Sequence, residues 1–84
     1  MLELYQFEEC PYSRQVRLKM SEWEIDYILR NVSPLKSKRQ HLKKVSGQTG
    51  VPTLVDSLRH MIIAGDEKRI ILYLRKHYRS HATA

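Results

Sequence analysis

The sequence predicts an α/β domain: a four-stranded mixed sheet with helices on both faces, in the order β-α-β-α-β-β-α. Three observations predict it. Short alternating or apolar segments take turns with segments whose apolar residues recur at three and four, so the periodicity switches between strand and helix. The first two strands are joined by a helix, which makes them parallel with a right-handed crossover. The last two are joined by a short turn, which makes them a hairpin, and no repeat or linker divides the chain.

Each element has its own signal. Residues 2–7, L-E-L-Y-Q-F, alternate and carry aromatics, which suggests a strand. Pro11 suits the first residue of a helix, because its missing N–H has no intrahelical partner there; Val16, Met20 and Trp23 then form a helical stripe. Residues 25–32, I-D-Y-I-L-R-N-V, read as the second strand. Ser33-Pro34 is a helix-start signal for a second helix that carries Leu35, Leu42 and Val45 and ends near Gly47. Residues 51–56, V-P-T-L-V-D, make a third strand, Asp56-Ser57-Leu58-Arg59 a turn, and residues 60–64, H-M-I-I-A, a fourth strand punctuated by Gly65-Asp66. Ile70, Ile71, Leu74 and Tyr78 line one face of the last helix. Residues 1–79 are thus the domain, and 80–84 a small, polar, frayed tail.

The 84 residues fit one small domain with a thin core. No apolar run approaches the roughly 20 residues of a membrane span. Residues 1–7 lack a basic leader and a cleavage site, and a single cysteine excludes an internal disulfide, so a reducing cytoplasm is expected. The net charge of +6 gathers at Lys36, Lys38, Arg39, Lys43 and Lys44 and again at Arg75, Lys76 and Arg79. These read as solvated helix faces; neither zinc-finger spacing nor an aromatic ribonucleoprotein motif accompanies them, so neither nucleic acid nor a membrane is an expected partner.

The chemistry centres on E-E-C-P-Y-S-R. Cys10 falls at the N-cap of the first helix, where the N–H groups of Tyr12 and Ser13 can face a negative sulfur and the helix dipole, with Arg14 or Arg17, can support it. Helix N-termini lower thiol pKa values from about 8.5 to roughly 3.5–7.5, while Glu8 and Glu9 oppose the charge. The competing reading is a small, inert core cysteine.

Three segments then carry a resemblance. C-P-Y-S at 10–13 resembles the glutaredoxin active site C-P-Y-C with its last cysteine replaced. S-G-Q-T-G-V-P-T-L-V at 46–55 resembles the glutaredoxin segment that ends in T-V-P. D-E-K-R-I-I-L-Y-L at 66–74 resembles the E-S-x-x-I-x-x-Y-L stretch that closes the thioredoxin-like N-terminal domain of glutathione S-transferases. The resemblance runs from Leu2 to about Tyr78 and implies a thioredoxin-like fold. It implies that Cys10 attacks a disulfide, with Pro11 and Ser13 supporting it and Tyr12 flanking the sulfur and shielding bound glutathione. It implies that Pro52 is a cis-proline beside the cysteine, where sequence alone predicts trans. Val51 then offers its backbone to extended glutathione, and Asp66 and Glu67 receive the γ-glutamyl group; both acids are equally suited to capping the last helix.

The chain departs from these patterns. Phe7 stands where many glutaredoxins carry lysine, Thr49 and Gly50 replace a basic residue and a threonine, and Glu67 replaces a serine. Arg39 and Lys43 are candidates for the glycine carboxylate by charge alone, and Gln48 is either a ligand contact or loop filling.

Ser13 decides the type of chemistry. A serine cannot resolve a mixed disulfide, and no other cysteine is present, so resolution falls to an outside thiol, with glutathione the natural co-substrate. The expectation is a monomeric monothiol glutaredoxin-like oxidoreductase acting on glutathionylated proteins or small disulfides, without a metal. One alternative is a glutathione-ligated iron–sulfur cluster, as in the C-G-F-S glutaredoxins, although Pro11 and Tyr12 replace the Gly and Phe of that motif. Another is a non-catalytic module that binds glutathione or a partner. A complete glutathione transferase is not expected, because 84 residues leave no room for that family's all-helical second domain.

Overall fold

The computed structural model describes residues 1–79; the expected tail, 80–84, lies outside the described residues. The chain runs β1 (Leu2–Gln6), α1 (Pro11–Glu22), β2 (Ile28–Asn31), a single 3-10 turn (Lys36–Lys38), α2 (Gln40–Ser46), β3 (Thr53–Asp56), β4 (Met61–Ala64) and α3 (Glu67–His77). The sheet order is β2-β1-β3-β4. β1 pairs parallel with β2 and antiparallel with β3, and β3 and β4 form the antiparallel hairpin. This is the thioredoxin-like arrangement the sequence predicts.

Strand alternation sorts β1 between two faces. Leu2 and Leu4 join Val16, Met20 and Trp23 of the first helical segment, Leu54 and Ile63 of the hairpin, and Ile70 and Leu74 of α3 in one core. Tyr5 points the other way, and its hydroxyl meets His41 Nε2 of α2 at 3.2 Å. α1 and α3 therefore cover one face and α2 the other. Full burial of Leu4, Leu54 or Leu74 contributes about 1.5–3 kcal/mol each.

Three boundaries differ from the sequence reading by more than one residue. The second strand begins at Ile28 rather than at 25 because residues 24 and 25 close α1. Glu24 is left-handed (φ 55°), its N–H donates to Ser21 O, and Ile25 N–H donates to Met20 O at 2.8 Å. That is a Schellman cap with glutamate in place of the usual glycine. The second helix begins at Gln40, not at Pro34. Ser33 Oγ accepts from Leu35 N–H two residues on, a local turn, and Arg39 (φ −101°, ψ 51°) separates the 3-10 turn from α2. Its expected end holds, with Gly47 left-handed at φ 78°. The third strand starts at Thr53, two residues late, directly after the Val51–Pro52 pair.

Asp56 ends β3 as a carboxylate only 1% exposed, not merely as the start of a turn. It accepts from Tyr73 Oη at 2.6 Å and Tyr78 Oη at 2.5 Å, which ties the end of α3 to the sheet. Burial alone would raise its pKa; the two tyrosines and the backbone N–H groups of Arg59 and Leu58 outweigh that and hold it below the usual aspartate value. The same burial and carboxylate hold the Tyr73 phenol well above its ordinary range. Among the described residues, no helix is long and apolar enough to cross a membrane.

Candidate active site

β1 delivers the chain to the site and α1 carries it away. After Gln6 a tight turn closes with Cys10 N–H donating to Phe7 O at 3.1 Å. Cys10 is the N-cap of α1, with extended backbone, and Pro11 takes the first helical position. The cap bond runs from Ser13 N–H to Cys10 Sγ at 3.5 Å. Of the two N–H groups expected to face the sulfur, Ser13's makes the bond. Ser13 itself is the third helical residue, and the cysteine sulfur is the cap.

Arg17 does not bond to the sulfur. Its guanidinium donates to Gln6 Oε1 and to Glu8 O at 3.2 Å, and it lies 3.9 Å from the Glu8 carboxylate. Gln6 is fully buried and passes its amide hydrogen to Asn31 Oδ1 at 2.7 Å. Arg17 thus fastens the turn that presents Cys10 to both β1 and β2.

The facing loop runs from Ser46 to Thr53, and its Val51–Pro52 peptide is cis, as the resemblance implies. Gln48 organises it from within. Its amide donates to Ser46 Oγ at 2.8 Å and Thr53 Oγ1 at 3.0 Å, and its Oε1 accepts from Gly50 N–H. Gln48 is therefore the loop filler, with its side chain fully used. A Cβ at Gly50 would lie 2.8 Å from Gln48 Oε1 and 3.5 Å from Gly65 Cα, which explains glycine where the related pattern has threonine. The close approach of Gly50 and Gly65, with Gly65 N–H donating to Pro52 O at 2.8 Å, seats the start of α3 beside the cis-proline loop. Asp66 caps α3 through Oδ1, which accepts from Arg69 N–H at 3.2 Å. Glu67 opens the helix.

Between these loops lies a cleft of about 640 Å³, walled by Cys10, Tyr12, Gly50 and Val51, with Glu67 and Lys36 among its charged residues. Cys10 is 5% exposed but forms part of the wall; Tyr12, at 54%, stands on the rim. Arg39 also reaches the cleft, and it is a structural fastener as well as a charge. Its guanidinium donates to Ser33 O at 2.8 Å, Thr49 O at 2.8 Å and Pro34 O at 3.2 Å, and it sits 5.3 Å from the centre of the Phe7 ring. Phe7, in the place of a lysine, so supports a cation on another element. A second recess of about 260 Å³ shares Lys36 and Arg39 with the cleft and adds Lys43, Gln40 and Thr49. No acidic residue occurs between Tyr27 and Val55 to neutralise these cations.

The structure brings Cys10, Tyr12, Val51 and Glu67 to one cleft; Pro11, Ser13, Pro52 and Asp66 neighbour them in sequence but do not line it. Lys43 borders only the adjoining recess. Sequence reasoning missed Lys36, Pro34 and Gly65 as cleft residues. Lys36 was visible only as one charge in a run, and the pairing of Gly65 with Gly50 is a tertiary contact without a local signal.

A thioredoxin-like domain with a cysteine-capped helix facing a cis-proline is the class that this fold and cleft define. Residues 4–82 match the family model described as glutathione S-transferase, N-terminal domain, and the chain belongs to that family. Among solved structures it is similar to unclassified glutathione S-transferase 2 from Bombyx mori (26% identity, TM-score 0.81, 94% of this chain and 36% of that one). It is similar to isozyme E7 from Drosophila melanogaster (32%, 0.78, 93% and 35%). It is also similar to a Drosophila mojavensis glutathione transferase homolog with bound glutathione (30%, 0.80, 94% and 36%). The chain thus spans about a third of the length of these relatives. No curated protein sequence matches it.

Proposed function

We propose that the domain binds glutathione in the cleft and uses Cys10 for monothiol exchange with glutathione mixed disulfides. The observation that carries this is the polarity of the cleft around the sulfur. Glu67 and the cations Lys36 and Arg39 line the same cleft as Cys10, and Asp66, the cap of α3, directly precedes Glu67. Glutathione has a γ-glutamyl ammonium at one end and a glycine carboxylate at the other, with its sulfur between, and would fit with the ammonium at the acids and the carboxylate at the cations. The Val51 backbone, next to the cis bond, supplies the pairing groups for the extended peptide. Membership in the glutathione S-transferase N-terminal family and the glutathione-bound relative support the same ligand.

The exchange has two balanced steps. The Cys10 thiolate attacks the glutathione sulfur of a mixed disulfide R–S–S–G, the Cys10–glutathione disulfide forms, and R–S⁻ leaves and is protonated. A second glutathione thiolate attacks the glutathione sulfur of that disulfide, releasing glutathione disulfide and restoring the Cys10 thiolate. Ser13, where a dithiol enzyme has its second cysteine, keeps the resolving thiol external.

The test is turnover of a glutathionylated peptide with reduced glutathione, followed by peptide-thiol release. The native chain should turn over and Cys10→Ser should not. Glutathione binding without turnover would leave a binding module instead.

A further inference from the structure

Arg39 carries a charge that is only 5% exposed, and it joins no ion pair among the described residues. Its three bonds all go to carbonyls, which use one N–H of each nitrogen and leave one on each terminal nitrogen without a partner there. A buried charge without a counter-ion is costly, and an anion arriving from outside relieves that cost. Arg39 lines both the cleft and the adjoining recess, as Lys36 does, and the recess adds Lys43 and Gln40. Lys36, Lys38, Lys43 and Lys44 are exposed and join none of the ion pairs among the described residues. Residues 27–55 hold six of the fifteen Lys and Arg and none of the nine Asp and Glu, so the whole net charge of +6 lies in this segment. One glycine carboxylate in the cleft leaves most of it unanswered.

We propose that the recess selects the peptide part of the mixed disulfide: it takes acidic side chains that flank the glutathionylated cysteine, and acidic peptides are the preferred substrates. The proposal rests on the exchange reading for the placement of the disulfide at Cys10. A peptide joined to glutathione through that disulfide brings its flanking residues to the cleft, and the cleft shares Lys36 and Arg39 with the recess. A surface of one sign also raises the local concentration of acidic peptides before contact. Single-stranded nucleic acid, the other common polyanion, is held by aromatic stacking, and no aromatic residue lines the recess.

The experiment measures binding of labelled peptides with Glu, Gln or Lys around a glutathionylated cysteine, by fluorescence anisotropy. The protein is Cys10→Ser, which caps its helix equally well and cannot exchange. The Glu peptide should bind about tenfold tighter than the Gln peptide, as expected for a few exposed ion pairs, and the Lys peptide weakest. The preference should fade at about 1 M salt, where charges act over only roughly 3 Å. Adding Lys43→Glu should weaken the Glu peptide about fivefold and leave the Gln peptide within about twofold, whereas Lys43→Arg should keep the preference. Equal or undetectable binding of the three peptides, a preference indifferent to salt, or one unmoved by Lys43→Glu overturns the proposal. So does displacement of the Glu peptide by a single-stranded oligonucleotide at lower concentration. An acidic preference in a chain whose native form never turns the peptides over would count against the exchange reading and leave this assignment standing. Turnover without any preference would do the reverse.

Discussion

Replacing Arg39 tests how the cleft is built. Arg39 is 5% exposed and joins three carbonyls from two loops, Ser33 and Pro34 ahead of α2 and Thr49 ahead of the cis-proline. Alanine removes two bonds of 2.8 Å, one of 3.2 Å and the stacking on Phe7. A net hydrogen bond contributes about 0.5–1.5 kcal/mol, more with a charged donor, and these half-buried loop carbonyls recover part of this from water. About 1 kcal/mol for each short bond, with the long bond and the stacking adding about another, gives roughly 3 kcal/mol. For a domain whose whole stability is about 4–12 kcal/mol, that is a large fraction. Arg39→Lys keeps the charge but has one nitrogen for three acceptors, so it should recover less than half. Urea unfolding at equal denaturant slope reads both variants. Stability of Arg39→Ala within about 0.5 kcal/mol of native would refute the reasoning, since surface substitutions commonly fall in that range.

Other expectations follow from single contacts. The folded-state pKa of Asp56 is lowered, so its bonds to Tyr73 and Tyr78 stabilise the fold above about pH 4 and are lost as the pH falls through the folded value. Asp56→Asn should cost about 2 kcal/mol at neutral pH and flatten the acid limb of a stability–pH curve; equal acid limbs would refute this. Gly50→Ala should cost about 1 kcal/mol by pushing Gln48 Oε1 away, and less in a Gln48→Ala background. Additive costs in that double-mutant cycle would show that the two residues do not compete for space.

Most of the fold was legible because local and tertiary signals agree. Pro11, the Val16–Met20 stripe and the Ile70–Leu74 face each sit where periodicity places them. What was not legible was written in contacts between distant residues. Glu24 does a glycine's work at a helix end because Ile25 is held by Met20 O and packs on the core. Arg39 interrupts an otherwise plausible long helix because its side chain binds carbonyls on two loops. At the site, the cysteine N-cap followed from C-P alone, and the cis bond at Pro52 followed only from the resemblance. The fastening of Gln48 inside its loop, and of Arg17 to Gln6 and Glu8, depends on side-chain geometry that spacing does not encode.

The central claim is that the Cys10 sulfur meets glutathione in the cleft and exchanges disulfides with it. The most direct measurement is intact-protein mass spectrometry after incubation with glutathione disulfide, followed by addition of reduced glutathione. The account predicts one glutathione adduct, located on Cys10 and removed by the reduced tripeptide, forming more slowly when Lys36 and Glu67 are replaced by alanine. An unmodified chain, or an adduct indifferent to those replacements, would contradict it.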